Sequence, residues 1–180
     1  MPHVRSIVAA IRPFDDRERA DQHATLSWID SGARLWRTAP PATPPEHLVA
    51  YCALVDWDAR SMLLVDHRKA GLWLPTGGHV DPHEDPAVAA ARELGEELGV
   101  IATPLVADPI FITRTTTVGL DGRHVDVSLW YAFRGTVGMT LSPDPNEFTD
   151  HRWFPFDTIT PAGRFDPELP RFLAKLESML

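Results

Sequence analysis

Three glutamates, Glu93, Glu96 and Glu97, stand three and four residues apart in the stretch "ARELGEELGV". On a helix that spacing puts them on one face. Like charges so placed repel one another mildly, and near a helix C-terminus they also oppose the macrodipole. Selection for helix stability alone would favour lysines there. One explanation is an ordinary solvated acidic face. The other is a hard divalent cation, magnesium or manganese, which takes oxygen ligands and bridges carboxylates to substrate phosphates. The cluster therefore points to phosphate chemistry.

The elements that must position these residues are readable. "DPAVAAARELGEEL" is a helix that Asp85 caps, Pro86 opens and Gly99 stops. Before it, "RKAGLWLPTGG" reads as a loop, whose glycines let backbone approach a bound group closely. "HLVAYCALVDW" and "SMLLVDH", joined by the turn "DWDAR", predict one hairpin. "PIFITRTTTV" and "HVDVSLWYAFRG", joined at "GLDGR", predict a second. "LSPDPNEFTD" reads as a polar loop, "HRWFPF" as a short strand and "PELPRFLAKLESML" as a closing amphipathic helix. Helices between groups of strands imply a mixed α/β sandwich. Upstream, "DDRERADQHATLSWIDSG" predicts a helix with acids in its first turn and Gly32 as its stop. Four prolines in the nine residues "APPATPPEH" suggest a stiff, extended connector. The expected division is 1-46, a helical extension with its linker, and 47-180, the main domain.

The chain has 180 residues, 44% of them hydrophobic, enough for one full core. A net charge of −8 argues against a nucleic-acid polymer held by bulk charge, but not against a small anionic substrate. The single cysteine, Cys52, lies in an apolar run and reads as a buried, inert thiol. The N-terminal run "IVAAI" is too short for a signal peptide, and no apolar run approaches a membrane span. A soluble cytoplasmic protein is expected.

Written out, residues 78 to 100 run Gly78, five residues, Glu84, seven residues, Arg92-Glu93-Leu94, one residue, Glu96-Glu97, one residue, Gly99-Val100. This resembles the signature of the Nudix hydrolase family, GX5EX7REUXEEXGU with U aliphatic, at every position. Chance agreement would be roughly one in 10⁹ per starting position. "LWLPTGGHV" is similar to the family's strand and loop leading into the box, and "GRHVDVSLWYAF" resembles the central strand after it in MutT-type members. Glu147, six residues before Trp153, is similar to a further family glutamate. The resemblance covers about residues 47 to 180. It implies a Nudix-like α/β/α sandwich with a mixed sheet, here with an N-terminal helical extension that the minimal domain lacks.

The resemblance further implies that the Gly77 carbonyl joins Glu93, Glu96 and Glu97 as metal ligands. Arg92, within helical reach of Glu96 and with Glu84 as a second candidate partner, would orient a glutamate and hold the loop to the helix. Water bound to the metal would attack phosphorus in a diphosphate linkage, and Glu93 or Glu147 would take its proton, with Asp150 as a neighbour able to substitute. His79 and either Arg68 or Lys69 flank the loop and are candidates for phosphate contact. Trp130, Tyr131, Phe111 and Trp73 are candidates to line a base pocket. Trp130 alternates with Leu129, so one of the pair should face inward and the other outward.

Certain branch markers of the family are missing. Thr115 stands where ADP-ribose enzymes carry proline, "TTV" at 116 to 118 lacks the tyrosine of dinucleoside polyphosphate enzymes, and the upstream coenzyme A motif is absent. What remains is a nucleoside triphosphate or a nucleotide-alcohol such as a CDP-linked compound. The alternative function is a Nudix-fold module that senses a nucleotide without cleaving it, although such a module would be expected to have lost box glutamates. Trp28, Ile29, Leu35 and Trp36 of the extension are candidates to pack on the domain, form a homodimer surface or lid the pocket.

Overall fold

A computed structural model of the chain describes residues 2–39, 43–117 and 124–179. The elements in order are α1 (Pro2–Ala10), α2 (Asp16–Asp30), β1 (Glu46–Asp56), β2 (Ser61–His67), β3 (Leu72–Leu74), β4 (Thr76–His79), α3 (Pro86–Leu98), β5 (Phe111–Thr117), β6 (His124–Arg134), β7 (Phe148–Pro155) and α4 (Leu169–Met179), with a single 3₁₀ turn at Phe156–Thr158.

The strands form a mixed sheet of order β3-β2-β1-β6-β5, in which β4 also pairs with β1 and β7 with β2. The β1–β6 pairing is parallel, from Glu46↔Val125 to Val55↔Arg134. The other strand pairings are antiparallel. Both expected hairpins form, although β1 and β2 stay paired only at Val55↔Met62 and Asp56↔Ser61. Beyond that point β1 is taken over by β4, through Val49↔His79 to Cys52↔Thr76. The stretch read as a loop thus contains two strands, β3 and β4. Their partners lie far away in sequence, so no local pattern announces them. The "GLDGR" turn, residues 119 to 123, lies outside the described residues.

Alternation along β1 feeds two cores. Leu48, Ala50, Cys52 and Leu54 join Leu129, Tyr131 and Phe133 under Ala90, Leu94 and Leu98 of α3. Ala53 and Val55 join Phe111 and Trp130 against Phe172, Leu173 and Leu176 of α4. Because both faces of the sheet are covered, β1 reads as a nearly continuous apolar run.

The extension packs into the first core rather than standing apart. Val4, Val8, Ile29 and Leu35 are buried with the β1 and α3 residues, and Trp28 and Trp36 pack on the same cluster. The Leu48 amide donates to the Leu35 carbonyl at 2.8 Å. Gln22 ends α1 by donating its side-chain amide to the carbonyls of Val8 (2.9 Å) and Ile11 (2.7 Å). Asp15 caps α2, and its carboxylate also takes the Arg171 guanidinium from α4 at 2.5 and 2.8 Å. The linker is not simply extended: Ala39 and Thr43 pair antiparallel, so its flanks meet. Pro40, Pro41 and Ala42 lie outside the described residues. Among the described residues no helix is long and apolar enough to cross a membrane.

Candidate active site

α3 begins as its sequence requires. The Asp85 carboxylate accepts the Ala87 amide at 2.8 Å, Pro86 occupies the first turn, and Gly99 closes the helix at φ 68°. The His3 ring nitrogen of α1 reaches the same Asp85 carboxylate at 2.5 Å. The helix packs on β1 and β4. Glu93 and Glu97 are thereby buried beneath the turn of β4, while Glu96 stays exposed at the rim.

Two glycines make this packing possible. A Cβ on Gly78 would run into the Glu93 carboxylate, and one on Gly77 would strike the Ala50 carbonyl. Gly77 also has φ 153°, at the edge of the region that favours glycine. Its amide donates to Glu97 Oε2 at 2.9 Å.

Arg92 is the hub of the box. Its guanidinium grips Glu84 with two bonds of 3.0 Å, donates to Glu93 Oε1 at 2.7 Å and Glu96 Oε2 at 3.2 Å, and reaches the His79 carbonyl at 3.1 Å. One cation thus ties the loop, the helix and three acids together. Helical spacing pointed to Glu96, and Glu84 was the second candidate; the contacts to Glu93 and the His79 backbone depend on how β4 lies against α3.

The electrostatics are unbalanced around Glu97. Burial pushes its carboxyl up to about 8, and the neighbouring Glu93 and Glu147 push the same way against the Gly77 amide. Glu93 is raised too, chiefly by burial, with Arg92 opposing. Glu147 comes from the loop before β7. That loop is tied to the end of α3 by the Asp144 amide on the Glu97 carbonyl (3.0 Å), and to β2 by the Arg68 amide on the Glu147 carbonyl (2.9 Å). Four oxygen-donor side chains thus share little positive charge, and a hard divalent cation fits this donor set.

Other expected residues lie elsewhere. Trp130 is completely enclosed: it stacks on Phe172 at 5.0 Å and donates its indole N–H to Thr113 Oγ1 at 3.0 Å. It is a core residue, not a pocket wall. Leu129 is equally buried on the opposite face, because helices cover both sides of the sheet. Phe111 is buried beside Trp130, and Tyr131 is buried in the first core. Trp73 is half-buried, edge-on to Phe154 at 4.9 Å. Arg68 uses its Nε to hold the Pro145 carbonyl at 3.0 Å, so it anchors the loop that carries Glu147. Lys69 is exposed at the tip after β2. Asp150 lies on β7 across from Asp66, 3.5 Å from Arg152, and is not gathered with the box acids. His79 turns its ring toward His47, 3.1 Å away, and its pKa is lowered to about 4 mainly by burial. Sequence reasoning overlooked His47, which β1 delivers to this spot; Trp36, one of the extension residues expected to pack, dimerise or lid the pocket, sets its ring 5.3 Å from His83 of the box loop.

The NUDIX domain family model matches residues 45–176. The chain belongs to the Nudix family. Among relatives, an isopentenyl-diphosphate Delta-isomerase of Mycolicibacterium vanbaalenii is 34% identical over 149 residues, covering 76% of this chain and 80% of that one. An RNA pyrophosphohydrolase of Rhizobium meliloti is 32% identical over 102 residues, 49% of this chain and 61% of that one. Among solved structures, a NUDIX hydrolase from Clostridium perfringens superposes with TM-score 0.58 at 22% identity, over 74% of this chain and 98% of that one. The E. coli dihydroneopterin triphosphate pyrophosphohydrolase superposes with TM-score 0.56 at 13% identity, over 78% and 99%. These two likenesses show the shared fold.

Proposed function

We propose that this Nudix hydrolase is a pyrophosphohydrolase dependent on magnesium or manganese, which cleaves a diphosphate linkage in a nucleoside triphosphate or a nucleoside diphosphate derivative by attack of water on phosphorus. The observation that carries this reading is the missing countercharge at Glu97, a buried acid that accepts the Gly77 amide and otherwise meets the acids Glu93 and Glu147. The Gly77 carbonyl, Glu93, Glu96 and Glu97 would hold the cation. When bound, such an ion supplies charge that makes water acidic near neutral pH and offsets charge developing on phosphoryl oxygens.

The chain's own residues do the rest. Arg92 fixes Glu93 and Glu96 in one orientation while holding the β4 turn to α3, which is a positioning role. Either Glu93 or Glu147 takes the proton of the attacking water. Glu147 stands at the exposed side of the cluster, and Glu93 already gives one oxygen to Arg92. A relative named as an RNA pyrophosphohydrolase supports a substrate with a nucleotide-type diphosphate linkage here.

The likeness to a relative named isopentenyl-diphosphate isomerase favours a second reading, rearrangement of a diphosphate ester without hydrolysis. One panel separates the two. The protein is incubated with magnesium or manganese and nucleoside triphosphates, CDP-alcohols, ADP-ribose or isopentenyl diphosphate, and products are resolved by chromatography and phosphate release. Release from a nucleotide, abolished by Glu97→Gln, supports hydrolysis. A shifted double bond with no phosphate released supports isomerisation. Nucleotide binding without any turnover would favour a sensing module.

A further inference from the structure

A second cluster of donor side chains lies across β4 from the carboxylates. Gly78 faces Glu93 of α3, whereas Gly77 faces Tyr51, so His79 shares the side away from α3. The β1–β6 register sets His47 beside Asp126, and the β1–β4 register sets Val49 beside His79. Three strands thereby converge three side chains. His79 Nε2 and Asp126 Oδ1 lie 3.1 Å and 3.2 Å from His47 Nε2, and all three atoms fall within 4.8 Å of one another. His124 stacks on His47 at 5.3 Å and brings its Nε2 to 3.4 Å from Asp126 Oδ1.

The protons do not suffice for these contacts. His47 Nδ1 sits 2.9 Å from the Pro44 carbonyl, which can only accept, so Nδ1 carries the hydrogen. In the neutral ring Nε2 is then a bare lone pair. It faces a second imidazole nitrogen and a carboxylate oxygen. One proton on His79 Nε2 serves a single contact, and the buried Asp126 Oδ1 receives no hydrogen bond. A cation would satisfy all three acceptors together.

We propose that His47 Nε2, His79 Nε2 and Asp126 Oδ1 bind a divalent first-row transition-metal ion at a site separate from the α3 carboxylates. Two imidazoles and one carboxylate suit zinc, iron, cobalt or manganese better than magnesium. Bonds of about 2.1 Å at tetrahedral or octahedral angles set neighbouring ligand atoms about 3.0–3.4 Å apart, which is the spacing on either side of His47 Nε2. The Pro44 carbonyl fixes the His47 tautomer in the manner of an outer-shell support. His47 is fully buried, while the Asp126 and His124 side chains are 20% and 16% exposed, so the open coordination positions lie on their side.

The full-length protein, stripped with chelator, is titrated with Co²⁺ and followed by visible absorption. The expected result is one equivalent with d–d bands that Zn²⁺ displaces and millimolar Mg²⁺ does not. His79→Gln and Asp126→Asn should each weaken Co²⁺ at least about tenfold, since even outer-shell losses cost that much. Glu97→Gln, on the other side of β4, should leave the bands in place. Circular dichroism checks each fold, and His79→Gln alone decides the matter if Asp126→Asn does not fold. Absence of the bands at one equivalent overturns the proposal, as do bands that persist in His79→Gln. Bands lost only in Glu97→Gln also overturn it, because the ion would then belong to the carboxylates. Persistence of a protonated His47 paired with Asp126 after cobalt addition, read by ¹⁵N NMR, is a further contrary result.

Discussion

Glu18 and Glu97 are both buried carboxylates on helices, and the chain treats them differently. Glu18 receives Lys175 Nζ at 2.6 Å, the Phe14 amide at 2.6 Å and the Ile112 amide at 3.3 Å. Nearby, Glu168 is gripped by Arg17 and Arg171. Every buried acid of that clasp between the extension and α4 meets a cation from the chain itself. Glu97 has one amide and the Glu147 carboxyl for company, and its own carboxyl is pushed up to about 8. Where charge holds the fold together, the sequence supplies the countercharge. Where charge is left uncompensated inside a preformed cradle, the proposed countercharge is a cation from outside.

Several substitutions can break that contrast. Glu97→Gln should lower kcat/KM on the order of 10³-fold, as loss of one preorganised charge contact at a phosphoryl-transfer site does. It should leave the metal-free melting temperature unchanged below pH 8, where Glu97 is protonated, and raise it above pH 8, where an unmatched buried charge is removed. Lys175→Met should do the reverse: about 3 kcal/mol less stable in urea unfolding, from stranding Glu18, with kcat/KM nearly intact. Equal stability losses in the two variants would erase the distinction.

A pH series sharpens it further. The Glu97 carboxyl titrates at 4.5 in the unfolded chain and at about 8 in the folded one. Between those values the folded state holds more protons, so metal-free stability should fall as pH rises from 5 to 8, by about 3 kcal/mol. The decline should flatten in Glu97→Gln and in saturating magnesium. The smallest effect is expected for Gly78→Ala. Its new methyl displaces the Glu93 carboxylate, lowering kcat/KM about tenfold with less than about 1 kcal/mol change in stability. A Gly78→Ala enzyme with full activity would show that the position of Glu93 does not matter.

Much of α3 was legible because its signals are local. Asp85, Pro86 and Gly99 mark its ends, and helical spacing alone brings Arg92 to Glu96. The hairpins were legible for the same reason. What escaped depends on contacts between distant segments. β4 is recruited to the edge of β1 although "TGGH" has little strand propensity, and that recruitment buries Glu97 and turns His79 toward His47. Trp130 resembled a pocket aromatic because alternation cannot say that α4 covers its face. Prolines read as a linker left packing, dimerisation or a lid open for the extension, and Val8, Ile29 and Leu35 are part of the core. The role of Glu147 rests on a loop anchored by Arg68 and by the α3 terminus, which its own neighbours do not reveal.

Calorimetric titration of magnesium into wild-type protein and Glu97→Gln, at equal pH and with both shown folded, bears most directly on the unmatched charge at α3. The account predicts a saturable binding isotherm for the wild type, with protons released because the cation displaces them from Glu97, and an isotherm collapsed to baseline for the variant. Indistinguishable isotherms for the two proteins would contradict it.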